Sequence, residues 1–292
     1  MDIKTVAVIG AGTMGNGIAQ VVAQAGYNVI MTDIKDEFLA KGMSTIGGSL
    51  DRLIKKGTLQ ETDKTAILGR IKTTIDLKEA RNAQLVIESA PEILDLKASI
   101  FKDLESICPP ETILASNTSY LSITEIASAT QRPDQVVGMH FFNPVAMMKL
   151  VEVVKGAKTS ENTCQVTIAL ARILQKEPVV CQDASYGFLA NRAYLAMRME
   201  AVQMVWERVA PPAEIDKALK LGYNLPVGPL ELGDMGGSWA IYASSEGDRI
   251  HELGSEKGRL HPLVRLMIRA GYTGGAGKKG IYDFYKEVLS KW

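Results

Sequence analysis

Residues 5–17, TVAVIGAGTMGNG, constrain the fold more than any other part of the chain. The short apolar run at 6–9 reads as a buried strand, and residues 14–25 read as a helix. Between them Gly10, Gly12 and Gly15 stand in the spacing Gly-x-Gly-x-x-Gly. In such a unit one glycine allows the tight turn, one lets the backbone approach a pyrophosphate, and one lets the helix pack on the strand. Thr13 and Met14 open the helix, whose N-terminal N–H groups attract phosphate. A second apolar run, Asn28–Thr32, leads to Asp33. It lies roughly 20 residues beyond the glycines, where an acid can bond a ribose 2′-hydroxyl and repel a 2′-phosphate. Strand, glycines, helix, strand and acid in this order predict a site for NAD.

Residues 1–183 alternate between strand-like and helix-like patterns, which predicts an α/β domain of the Rossmann type. Candidate strands are 6–9, 29–32, 85–88, 113–116, 136–140, 150–154 and 178–181. The segment 36–68 is longer than an ordinary crossover. It reads as two charged helices around Lys56-Gly57-Thr58, a helical excursion from the sheet. Beyond 183 strand signals fade, and residues 184–292 read as an all-α C-terminal domain. Within it, 187–209 reads as one long helix with apolar residues on more than one face, as a helix buried on several sides should have. Shorter helices are predicted at 212–220, 230–234 and 262–270, and a Gly-rich loop at 271–280 precedes 281–285.

Net charge is zero over 292 residues. This argues against nucleic acid as a partner, because phosphate binding needs an excess of Lys and Arg. No apolar run approaches the roughly 18 residues needed to span a bilayer, so no membrane association is expected. The first strand begins too near Met1 for a targeting segment. Cys108, Cys164 and Cys181 are far apart and odd in number. They suggest apolar fillers in a reducing cytoplasm, not a disulfide framework or a metal site.

Of the three histidines, His251 and His261 lie in polar surroundings and read as surface residues, whereas His140 ends an apolar strand. If 136–140 and 150–154 pair antiparallel about a turn centred on Ala146, His140 falls opposite Glu152 and Phe142 opposite Leu150. Glu152 is an acid in an apolar strand, costly to bury alone, and an imidazole partner offsets that cost. Such a pair is a proton-transfer device. The carboxylate fixes the tautomer and stabilises the charged ring, while the other ring nitrogen takes a proton from a substrate hydroxyl. Ala115-Ser116-Asn117-Thr118-Ser119 follows a strand, where its hydroxyls and amide could hold a substrate oxygen or cap a helix. Asn191, polar within an apolar helix, is suited to a buried hydrogen bond or a ligand contact.

Gly-Ala-Gly-Thr-Met-Gly, Ala-Ser-Asn-Thr-Ser, His-Phe-Phe-Asn-Pro, Met-Lys-Leu-Val-Glu-Val, Gly-Phe-Leu-Ala-Asn-Arg and Pro-Val-Gly-Pro-Leu-Glu-Leu occur in this order. Together they resemble the L-3-hydroxyacyl-CoA dehydrogenases over almost the whole chain. The stand-alone length resembles the bacterial 3-hydroxybutyryl-CoA members. The resemblance implies an NAD-dependent interconversion of (S)-3-hydroxyacyl-CoA and 3-oxoacyl-CoA. It makes His140 the acid/base and Glu152 its orienting partner, with Ser119 and Asn191 on the substrate oxygen or thioester. It places Asn117 at the nicotinamide, and Glu92 and Lys97 at the cofactor ribose or nearby groups. Lys55 and Lys56 match a basic stretch bordering the CoA site, and they also read as a solvated helix end. A homodimer through the C-terminal domain is implied as well.

The chain departs from the family pattern in places. Asp183-Ala184-Ser185-Tyr186-Gly187-Phe188 stands for the usual Asp-Ser/Thr-Pro-Gly-Phe, and Pro144-Val145-Ala146-Met147-Met148-Lys149 for Pro-Val/Ala-Pro-Val-Met-Lys. Gly237-Ser238-Trp239 replaces Gly-Leu-Asp, and the loop 274–282 is richer in glycine with its basic pair displaced. These changes bear on the acyl chain, the CoA tail or the domain hinge. Two alternatives are a dehydrogenase of a 3-hydroxy acid lacking CoA, such as a sugar acid, and an NAD-binding protein without catalysis.

Overall fold

The computed structural model describes residues 2–184, 186–236 and 238–291. The chain divides into two compact units, Met1–Ala184 and Ser185–Trp292.

The first unit is built on an eight-stranded sheet. Its strands are β1 (Thr5–Ile9), β2 (Asn28–Thr32), β3 (Ile71–Thr74), β4 (Leu85–Glu88), β5 (Ile113–Ser116), β6 (Val136–Phe141), β7 (Leu150–Lys155) and β8 (Glu177–Gln182). The spatial order is β3-β2-β1-β4-β5-β6-β7-β8. Every neighbouring pair is parallel except β6 and β7. Helices α1 (Thr13–Gln24), α2 (Asp36–Lys55), α3 (Glu61–Gly69), α4 (Leu94–Ile107), α5 (Ile123–Ser128) and α6 (Glu161–Ile173) connect or flank the strands. Val6, Val8, Leu85, Val86 and Ile87 are fully buried, as continuous apolar strands covered on both faces must be. From β1 the chain winds out to β2 and β3, then returns to start β4 on the other side of β1. That reversal opens a crevice beyond the carboxyl ends of β1 and β4, the place where open α/β sheets bind ligands.

The excursion at 36–68 resolves into α2 and α3, which pack on each other and on α1. Strand β3 is not legible in the sequence. Ile71-Lys72-Thr73-Thr74 carries one buried apolar residue, because it lies at the sheet edge. An edge strand needs little apolar surface and shows no clear alternation.

Among the described residues the second unit is helical. It comprises α7 (Ala190–Trp206), α8 (Pro212–Tyr223), α9 (Pro229–Met235), α10 (Ser238–Ser244), α11 (Glu246–Gly258), α12 (Pro262–Arg269) and α13 (Ile281–Glu287). The long helix is shorter than 187–209 at both ends. Gly187 and Phe188 take positive φ before it, and Arg208 does so after it, a conformation that interrupts a right-handed helix. Ala201, Val202 and Val205 pack with Leu230, Trp239, Leu263 and Phe284 into the core of this unit. Helices α10 and α11 are absent from the sequence reading, since 246–258 is mostly polar and is broken by Gly254 at φ 77°. No helix among the described residues is long and apolar enough to cross a membrane.

His261, unlike exposed His251, is not a surface residue. It is half-buried at the N-cap of α12, where its Nδ1 accepts the Leu263 N–H at 3.1 Å and its Nε2 lies 2.7 Å from Gln203 Oε1. Capping through Nδ1 requires that nitrogen to be unprotonated. Burial holds the imidazole below its ordinary value near 6.5, so the unfolded chain takes up the proton first as pH falls. Stability from this site is therefore full above about pH 6.5 and is lost as pH falls through the folded-state value. Melting curves from pH 7 to pH 5 will show Tm falling with pH. The fall will be shallower in His261→Asn, which keeps a capping oxygen but does not titrate. Equal slopes in the two proteins would contradict this assignment.

Candidate active site

The loop after β1 has the geometry its glycines predict. Gly10 adopts φ 102°, and a Cβ there would lie 2.7 Å from the Ser89 carbonyl oxygen. A Cβ on Gly15 would lie 1.8 Å from the Gly10 carbonyl oxygen, so helix and loop touch backbone to backbone. At Gly12, the N-cap of α1, a Cβ would meet nothing within 4 Å. No protein neighbour demands glycine there, so the open space is where a pyrophosphate can approach. Exposed Thr13 and half-buried Met14 begin the helix beside it. Asp33 does more than the sequence suggested. Its Oδ2 accepts the Ala11 N–H and its Oδ1 the Ile34 N–H, each at 2.7 Å. One carboxylate thus braces the glycine turn while ending β2, the position from which it would meet a ribose. These residues fit a dinucleotide.

Beneath the loops after β4 and β5 lies a polar cluster that sequence reading missed in part. Glu88 is fully buried. Its Oε1 accepts from Lys97 Nζ at 2.7 Å and from the Ala90 N–H at 2.6 Å, and its Oε2 from Ser116 Oγ at 2.6 Å. Lys97, expected beside a cofactor ribose, is only 1% exposed. Its ammonium reaches Glu88, the Ala90 carbonyl at 3.0 Å and Glu92 Oε2 at 3.5 Å. Three internal acceptors match the three donors of an ammonium, so Lys97 is held by protein partners beside Glu92, the other residue expected near the cofactor ribose. Glu92 is more exposed. Its Oε1 accepts from Thr118 Oγ1 at 2.6 Å and from the N–H groups of Ser119 and Tyr120 at 2.8 and 3.0 Å. The 117–121 segment is therefore held by side chains from the β4 loop.

Strands β6 and β7 pair with His140 directly opposite Glu152. His140 is 3% and Glu152 0% exposed, and Nδ1 lies 2.7 Å from Glu152 Oε2. The carboxylate accepts, so Nδ1 carries the proton and Nε2 is the ring nitrogen left as an acceptor. The Phe142 ring lies 4.5 Å from the imidazole. Asn117 ties this pair to the β5 loop, since its Oδ1 accepts the Phe141 N–H at 2.8 Å. Half-exposed Ser119 follows two residues later.

The first unit thus assembles the glycine loop, Asp33, Glu92, Asn117, Ser119, His140 and Glu152. Lys55 and Lys56 are exposed at the C-terminal end of α2, where positive charge also complements the helix dipole. Asn191 stands in the first turn of α7 in the second unit. Burial pushes the Cys108 thiol up to about 11 and the Cys181 thiol up to about 12, which suits apolar filling and not nucleophilic chemistry.

Three departures from the family pattern pack within the second unit. Trp239 is fully buried, and its Nε1 donates to Asp234 Oδ1 at 2.7 Å. A Cβ on Gly233 or Gly274 would come within 2.5 or 3.0 Å of its ring, and the Gly275 N–H donates to the Asp234 carbonyl. The indole and the glycine-rich loop accommodate each other. Tyr186 is buried, and burial pushes its phenol above the ordinary value. Its neighbour Ser185 and Gly237 lie outside the described residues.

Comparison with known proteins adds two family matches. The pattern of "3-hydroxyacyl-CoA dehydrogenase, NAD binding domain" matches residues 5–184, and that of the C-terminal domain matches 187–284. A protein of Bacillus subtilis (strain 168) named "Probable 3-hydroxybutyryl-CoA dehydrogenase" is 45% identical over 289 residues, covering 99% of this chain and all of the relative. A 3-hydroxybutyryl-CoA dehydrogenase of Clostridioides difficile is 42% identical over 280 residues, 96% of this chain and 99% of its own. The crystal structure of (S)-3-hydroxybutyryl-CoA dehydrogenase from Ralstonia eutropha superposes with a TM-score of 0.90 at 44% identity, covering 96% of this chain and 99% of that one.

Replacing Asp33 tests the ribose reading. Asp33→Ser should weaken NADH binding and narrow its preference over NADPH by roughly tenfold, the order of one charge-assisted hydrogen bond. Fluorescence titration with both nucleotides reads the ratio. An unchanged ratio would remove Asp33 from cofactor selection.

Proposed function

Because the chain belongs to the 3-hydroxyacyl-CoA dehydrogenase family, we propose that it interconverts a short-chain (S)-3-hydroxyacyl-CoA, 3-hydroxybutyryl-CoA in the first place, and its 3-oxoacyl-CoA. The observation that carries the chemistry is the buried His140–Glu152 pair, 2.7 Å apart, at the carboxyl end of β6. In oxidation His140 Nε2 takes the proton of the substrate hydroxyl, and in reduction it returns it. Glu152 keeps the ring in the tautomer that leaves Nε2 for this task and stabilises the imidazolium as it forms. NAD, bound at the glycine loop, supplies the hydride acceptor. Ser119 hydrogen-bonds the substrate oxygen, and Asn117 borders the nicotinamide. For Asn191 we carry over the substrate-oxygen or thioester contact that the resemblance implies, and for Lys55 and Lys56 the border of the CoA site.

The wider setting belongs to the same reading: a cytoplasmic enzyme of fatty acid or butanoate metabolism, acting as a homodimer through the helical unit. Leu221, Tyr223 and Ile241 of that unit are exposed, and a second copy would cover such apolar side chains. The bacterial relatives support the cytoplasmic setting.

A substrate panel tests the proposal. NADH oxidation should be fast with acetoacetyl-CoA, at the kcat of about 1–1000 per second usual for enzymes. It should be negligible with free acetoacetate, and much slower with NADPH. Turnover of the free acid in preference to the thioester would replace this reading with a dehydrogenase of acids lacking CoA. NADH binding without turnover of any 3-oxoacyl thioester would contradict catalysis altogether.

A further inference from the structure

The reaction as proposed does not use Glu88, yet Glu88 and Lys97 form a fully buried ion pair. Burying two charges rarely adds net stability, since desolvation offsets much of their attraction. What the pair does provide is position. Glu88 ends β4, and its register partners are Ile9 of β1 and Ser116 of β5, the last residue of each strand. It therefore sits where the loops after β1, β4 and β5 all begin.

Its contacts fix the loops after β4 and β5. The Ala90 N–H on Oε1 turns the β4 loop back over the carboxylate. Ser116 Oγ donates to Oε2 and accepts the Thr118 N–H at 3.2 Å, so the first turn of the β5 loop hangs on Glu88 through one hydroxyl. Lys97 extends the chain of contacts to Glu92, which takes the N–H groups of Ser119 and Tyr120. The Asn117 N–H donates to the Glu88 carbonyl at 2.8 Å, and Asn117 Oδ1 holds Phe141, the neighbour of His140. From the carboxylate, one route through Ser116 and one through the Lys97–Glu92 ion pair converge on residues 118–120, while the tie to the histidine strand runs from the Glu88 backbone carbonyl through Asn117 between them.

We propose that Glu88 is a positioning residue for the dehydrogenase reaction: through Ser116 and Lys97 it sets the Asn117–Ser119 segment against the His140 strand. It touches no reacting atom. The inference rests on the proposed function only in its kinetic consequence, since the holding of the loop is a property of the fold. Glutamine at 88 is nearly isosteric and keeps one acceptor oxygen. It removes the charge that holds Lys97 and presents an NH2 to Ser116, whose hydroxyl must then reverse in competition with the Thr118 N–H. A catalytic group displaced by about 1 Å can cost about 100-fold in rate.

The test compares Glu88→Gln, Ser116→Ala and the wild type by three readouts. Both variants should lose kcat on acetoacetyl-CoA, about 10- to 100-fold for Glu88→Gln, with NADH affinity within about twofold. Hydrogen exchange should quicken at the Ser119 and Tyr120 amides and stay slow along β4 and β5. The double variant should be no slower than Glu88→Gln alone, because one route cannot be cut twice. A purely structural pair would lower Tm and quicken exchange across the sheet at unchanged kcat, and that result overturns the proposal. Should Glu88→Gln fail to fold, Ser116→Ala decides, since wild-type kcat and wild-type exchange in that variant overturn it too. A wild type inactive on the thioester would count against the functional reading, and exchange at Ser119 and Tyr120 would still decide the role of Glu88.

Discussion

A carboxylate buried in the middle of a strand is the constraint on which the site depends. Glu152 has no access to water, and an isolated charge there would cost several kcal/mol. Only one register of β6 against β7 puts an imidazole across from it, and a shift by one residue would turn both side chains to opposite faces. The requirement to pair Glu152 thus selects the register of this hairpin, the one antiparallel step in the sheet. It also delivers His140 to the carboxyl edge, beside loops that already converge on a dinucleotide. Packing and proton chemistry impose the same geometry.

Those parts of the fold whose physics is local were legible in the sequence. Gly10 and Gly15 are glycine because backbone atoms of the loop and of Ser89 occupy the space a Cβ needs. The His140–Glu152 pairing follows from alternation and the cost of a buried acid. The helical excursion at 36–68 shows itself by length and charge. What escaped depends on neighbours distant in sequence. Strand β3 is defined by pairing with β2, not by its own apolar content. Glu88 reads as the polar end of an apolar run, and only folding brings Lys97 and Ser116 to it. Nothing local shows that three acceptors surround Lys97. His261 looked solvated because its neighbours are polar, whereas its partners are a helix terminus and Gln203.

The departures from the family pattern fall into place on the same terms. Trp239 stays buried because Gly233 and Gly274 leave room for its ring and Asp234 takes its N–H. Tyr186 is closed off within the second unit. Met147 and Met148 are exposed on the turn between β6 and β7.

The central claim is that His140, held by Glu152, moves the substrate proton. Single-turnover reduction of acetoacetyl-CoA by enzyme preloaded with NADH tests it most directly, with His140→Gln beside the wild type. Equal NADH affinity is expected, with a chemical step slowed by about 100- to 10,000-fold, the range lost with a general acid. A variant that binds NADH normally and reduces the thioester at the wild-type rate would contradict it.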